Sequence, residues 1–165
     1  MASADVEHAA KERLTKLQKD AEGVGRQIRI DPNVTVKRYY RAAEQLLDQG
    51  RQYAQSQDWE RGYTLLLRFA TFFLEVMPEH PKYKDADMGE KRSRLKKECK
   101  MVLEELSAIK RELQTRYKQE AEAEAASQRA AASSLRLEQR VRAMHADEAA
   151  FVQLDAEGDA RAGER

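Results

Sequence analysis

The chain has 165 residues, of which 36% are charged and 7% aromatic, with only three Pro and seven Gly; this is the balance of long solvated helices and argues against a sheet protein or a second independent core. Its net charge of +1 divides unevenly: residues 1 to 118 carry 24 Lys and Arg against 19 Asp and Glu, and residues 119 to 165 carry 6 against 10. The excess of five on the body is too small and too mixed with acids to form the clustered basic face that a nucleic acid demands, so nucleic-acid binding is not expected.

The first predicted element is an amphipathic helix over 4 to 22, with Val6, Ala10, Leu14, Leu17 and Ala21 on one face and Gly23 and Gly25 ending it. A second helix starts at about 32 to 36, capped by Asp31 with Pro32 at its first position, or by Thr35. Its seam is Val36, Tyr40, Ala43, Leu47, Gly50 and Ala54. A glycine inside a helical seam costs about 1 kcal/mol relative to alanine, so Gly50 implies that another backbone comes close there. The polar run 55 to 58 makes a tight corner, with Ser56 or Asp58 capping the next helix.

Residues 59 to 77 hold most of the large apolar side chains, and their polar stripe is Arg61, Thr64, Arg68, Thr71 and Glu75. A helix with so narrow a polar stripe is surrounded on nearly all sides, and any apolar strip left open beside the stripe would be a groove for a partner helix. Pro78 and Pro81 stop this helix. A fourth helix begins near 88, where Asp87 and Glu90 form a capping-box-like pair, and its seam is Leu95, Cys99, Val102, Leu106, Ile109, Leu113 and Tyr117. The Ala- and Glu-rich run after Tyr117 has strong helix propensity but little to bury, and extends the fourth helix. A sparse stripe of Leu137, Val141, Met144, Phe151 and Leu154, interrupted by Glu148, predicts a helix that is weak when alone. The resulting division is an N-terminal helix in 1–30, a bundle in 31–118, a helical extension or linker in 119–155 and a disordered tail in 156–165.

A lone cysteine in a Lys- and Glu-rich chain suits a reducing compartment, and the start lacks the apolar run of a signal peptide. No stretch approaches the roughly 20 apolar residues needed to cross a bilayer, so a cytoplasmic protein with no direct membrane insertion is expected. Cys99 lies on an apolar seam with no histidine at helical spacing, which makes it a core residue and not a nucleophile. His8, His80 and His145 are far apart, with His80 between two prolines where it shapes a turn. The basic run of Lys91, Arg92, Arg94, Lys96, Lys97 and Lys100 is dispersed around the helix and reads as a solvated face. No catalytic residue, metal site or cofactor is expected.

The run from Ile30 to Lys118 carries a resemblance. Tyr39-Tyr40-Arg41, the corner before Trp59, Tyr63-Thr64-Leu65-Leu66-Leu67-Arg68-Phe69, Pro78-Glu79-His80-Pro81-Lys82-Tyr83-Lys84 and the stretch Arg111 to Tyr117 resemble the N-terminal region of AMSH-type endosomal deubiquitinases. That region is a MIT-like helical domain, similar also to the dimerisation domain at the start of a ubiquitin-specific protease of endosomes. Coverage is about residues 10 to 120. The resemblance implies an all-α fold: an antiparallel MIT-like three-helix bundle preceded by an N-terminal helix, with a long extended C-terminal helix. It also implies a groove that receives C-terminal helices of ESCRT-III subunits, and peripheral recruitment to endosomes. The His-x-His pair, downstream acid and separate glutamate of that family's zinc metalloprotease domain do not occur, so the chain is either part of a longer enzyme or an adaptor.

Candidate partner-binding residues follow from that implied groove. Glu98, Met101, Glu105 and Ala108 lie on an acidic edge of the fourth helix, suited to a flanking arginine of an incoming tail, the plain alternative being a solvated edge. Leu65 and Phe72, the apolar residues nearest the polar stripe, form the opposite wall unless they belong to the core. Homodimerisation through the stripe from Leu137 to Leu154 is a second expectation. A tetratricopeptide-like peptide binder is a third, from Gly50, Tyr53 and Gly62, although one helix pair matches and no repeat near 34 residues follows.

Overall fold

The computed structural model describes residues 2 to 163 and is all-α, with no strand among the described residues. It consists of α1 (Ala2–Gln27), α2 (Val36–Gln55), α3 (Trp59–Thr71) and α4 (Gly89–Ala162). Two compact units divide it, residues 1–121 and 122–165. No helix among the described residues is long and apolar enough to cross a membrane.

Within the first unit, α2 and α3 are packed closely and antiparallel. A β-carbon on Gly50 would lie 2.8 Å from Leu66, and one on Gly62 would lie 3.0 Å from the Ala54 amide nitrogen, so the two helices touch nearly backbone to backbone at both points. The close approach expected at Gly50 is therefore present. α1 runs parallel to α3, because Arg13 bonds Glu60 at 3.1 Å while Gly25 packs on Thr71 and Arg26 meets Glu75 at 2.8 Å. α4 runs parallel to α2, with Glu44 paired to Lys91 and Arg94, and Arg51 paired to Glu98 and Glu105. The core is the set of seams so aligned, and all seven α4 seam residues from Leu95 to Tyr117 are buried.

Three local expectations are corrected. α1 does not stop at Gly23 but continues through both glycines to Gln27, because Gly25 is needed where α1 presses on Thr71, 3.1 Å from an added β-carbon. Of the two starts expected for α2 the later one holds: Thr35 occupies the N-cap position, without a side-chain bond among the described residues, and the Asp31 carboxylate accepts from the Asn33 amide in a turn. α3 ends at Thr71 and passes into a π-turn, Phe72–Val76, then a 3-10 turn, Met77–Glu79. Pro78 accounts for this: in a continued α-helix its ring would clash with the Leu74 carbonyl, and instead the Met77 amide reaches back five residues to Phe72. Before α4 comes a 3-10 turn, Ala86–Met88, and Asp87 forms no side-chain cap among the described residues.

The connection from α3 to α4 is pinned by its histidine and tyrosine. His80 is buried; its Nδ1 accepts from the Lys82 amide at 3.0 Å, and its Nε2 donates to the Val34 carbonyl at 2.9 Å. Tyr40 donates to the Tyr83 carbonyl at 3.0 Å, and Arg92 donates to the same oxygen at 2.8 Å.

The second unit is helical to Ala162, where a disordered tail was expected from 156; residues 164 and 165 lie outside the described residues. Glu122 onward combines alanine with charged residues, which favours helix without requiring burial. No described residue beyond Ala125 is even partly buried.

Candidate docking site

α3 lies between α1 and α2, and a groove of about 460 Å³ opens along it. Leu17 comes from α1, Gln49 and Tyr53 from α2, and Glu60, Arg61, Thr64, Leu65 and Arg68 from α3. Residues 61, 64, 65 and 68 share one face of α3 by helical spacing, which is the polar stripe with Leu65 beside it. The helices that flank α3 cover its other faces and leave this one open.

The groove is basic in effect. Glu60 is already engaged, accepting from the Tyr117 hydroxyl at 2.5 Å and from Arg13 at 3.1 Å. Burial, and next the bond to Glu60, pushes the Tyr117 phenol far above its ordinary range, which keeps it a donor. Arg61 is 3.6 Å from Asp58 and lies over the Tyr53 ring at 5.5 Å. The Arg68 Nε is buried and has no hydrogen-bond partner among the described residues. An unpartnered buried donor is costly, and an incoming acceptor would satisfy it once the Arg68 side chain turns out toward the groove.

The six residues expected to bind a partner do not form one groove. Leu65 lines the groove on α3. Phe72 is corrected to a core residue: it is 1% exposed, because the Tyr39 ring of α2 packs against it, 6.3 Å between centroids. Glu98 lies in a separate cleft between α2 and α4, with Glu44, Leu47, Asp48, Arg51, Arg94 and Leu95. Glu105 accepts from Arg51 through Nη2 at 2.8 Å and Nε at 3.2 Å, and Glu98 lies 2.6 Å from the same Nη2. The guanidinium pKa is raised, first by the bond to Glu105. The acidic edge is thus balanced within the protein. Met101 and Ala108 are exposed on α4 and line neither cleft.

Sequence reasoning identified the stripe of Arg61, Thr64 and Arg68, but not its neighbours across the groove. Leu17 was read as part of the apolar face of α1 and Tyr53 as a residue of a tetratricopeptide-like pair, and their half-burial marks them as groove walls. Gln49 carried no signal. The signal for Arg51 was its place beside Gly50, where a long cation next to a close-packed seam can reach two carboxylates seven residues apart on one helix face.

Residues 5–120 match the family model described as the USP8 dimerisation domain. A STAM-binding protein-like protein of Xenopus laevis is 32% identical over 98 residues, 59% of this chain and 24% of that protein. AMSH-like ubiquitin thioesterase 3 of Arabidopsis thaliana is 31% identical over 93 residues, 56% of this chain and 18% of that protein. The AMSH-like protease of Homo sapiens is 26% identical over 113 residues, 68% of this chain and 25% of that protein. The chain therefore spans a quarter or less of the length of these curated relatives.

Proposed function

This chain belongs to the USP8 dimerisation domain family, and on that premise we propose that it is a noncatalytic docking module whose α3 groove receives the C-terminal helix of an ESCRT-III subunit. The observation that carries this reading is the groove itself, an apolar floor of Leu17, Tyr53 and Leu65 beside Arg68, whose Nε has no partner among the described residues. An amphipathic helix would set leucines on that floor and a carboxylate against Arg61 and Arg68. The complement is thus an acidic flank on the partner, in place of the flanking arginine that an acidic α4 edge would have required. Peripheral recruitment to endosomes would follow through that partner.

Three or four buried leucines contribute about 5 to 8 kcal/mol gross, and ordering a free tail offsets several, so micromolar affinity is expected. The test is calorimetric titration of the chain with C-terminal peptides of ESCRT-III subunits. Leu65→Asp and Arg68→Glu should each weaken binding about tenfold or more, the loss expected for a charge-assisted contact or a buried leucine. Met101→Asp should leave it unchanged. The reverse pattern would move the site to the exposed edge of α4, and no binding by any peptide would overturn the reading.

A further inference from the structure

Beyond the residues that the family model matches, the α4 stretch in the second unit bears an apolar stripe that covers nothing within that unit. Leu137, Val141, Met144, Phe151 and Leu154 are 62, 43, 70, 66 and 68% exposed. Steps of four, three, four and three lead from Leu137 through Val141, Met144 and Glu148 to Phe151, which is the seam spacing of paired helices. Helices in water owe most of their stability to burial of such a face. We infer that this stretch pairs antiparallel with the same stretch of a second copy of the chain.

Charge selects both the occupant and the orientation. Residues 129 to 142 carry four arginines against one glutamate, and residues 147 to 159 carry five carboxylates and no Lys or Arg. The apolar residues lie on both sides of the midpoint near residue 146, so turning one copy end over end sets Val141 across from Phe151 and Met144 across from Glu148. The basic half of each copy then lies along the acidic half of the other. A parallel, in-register pair would instead set arginines against arginines and Glu148 against Glu148 in the seam. A partner with a uniform charge would match one half and repel the other, whereas a second copy matches both. One like-charge meeting remains, Asp147 near its own copy at the two-fold axis, which keeps the pairing moderate.

Sedimentation equilibrium of the full chain across micromolar concentrations tests this independently of the α3 groove. The chain should reach dimer, and Val141→Asp should lose the dimer while the thermal transition of the first unit is unchanged. Asp147→Asn should tighten the dimer several-fold, a gain that misfolding does not produce. Under oxidation, Leu137→Cys and Leu154→Cys should crosslink to each other when mixed, and neither should link to itself; the buried Cys99 stays out of reach. A monomer at every concentration, a dimer that survives Val141→Asp, or self-linking of Leu137→Cys would each overturn the inference.

Discussion

Gln57 has a backbone φ of 62°, the positive value among non-glycine residues of the described chain. It ends α2 in a left-handed conformation closed by two bonds, Asp58 amide to Tyr53 carbonyl at 3.0 Å and Gln57 amide to Ala54 carbonyl at 3.1 Å. A β-carbon makes that conformation unfavourable by about 1 to 2 kcal/mol, and glycine removes the strain while adding freedom to the unfolded chain. Gln57→Gly should therefore stabilise the protein by about 0.5 to 1 kcal/mol, seen as a higher urea midpoint at unchanged slope. A lower midpoint would mean that the Gln57 side chain contributes more than its strain costs. The corner at 55 to 58 and the Asp58 cap, which accepts from the Arg61 amide, were legible from polar residues at helix-start spacing. Which residue would turn left-handed was not legible, since neither glycine nor asparagine stands there. The role of His80 was legible in kind but not in reach, because its bond to Val34 joins residues far apart in sequence.

At the scale of the helices, the α2–α3 contact depends on missing side chains more than on present ones. A methyl group on Gly62 would meet Ala54 backbone at 3.0 to 3.2 Å, and neither helix can move away without opening the core around Leu66. Overpacking of this kind costs about 1 to 3 kcal/mol, while alanine regains up to about 1 kcal/mol of helix propensity. Gly62→Ala should thus destabilise by about 1 to 2 kcal/mol in chemical denaturation. Gly23→Ala, on α1 with nothing within 4 Å of the added carbon, should stabilise by up to about 1 kcal/mol. Shifts of opposite sign for this pair would establish that backbone approach, not propensity, governs Gly62. The helical seams were legible because heptad-like spacing survives burial. The ends of α1 and α3 were not, because Gly25 serves packing against Thr71, and Pro78 acts on the turn before it instead of ending the helix cleanly.

The molecule joins a unit with a buried core to a helical stretch with none, and this division limits what sequence could tell about the site. Leu65 and the arginines of α3 were legible as a stripe, but whether a stripe is open depends on which helices flank it, and that is decided by tertiary packing. The same packing engages Glu98 and Glu105 with Arg51, a pairing between residues about 50 positions apart that no helical periodicity encodes. Unequal burial predicts unequal opening. Cys99 is 3% exposed, and burial pushes its thiol up, so the reactive thiolate is scarce at neutral pH while the first unit is closed. Its modification by a thiol reagent should therefore follow global unfolding of that unit, slow in water and accelerating along the urea transition. Amides of residues 126 to 162 should exchange with solvent far faster than those of 95 to 117 when the chain is dilute, because no side chain there is buried. Rapid labelling of Cys99 in the absence of denaturant would mean instead that α4 detaches from α2 and α3 by itself, with Arg51 and its two carboxylates failing to hold the helices together.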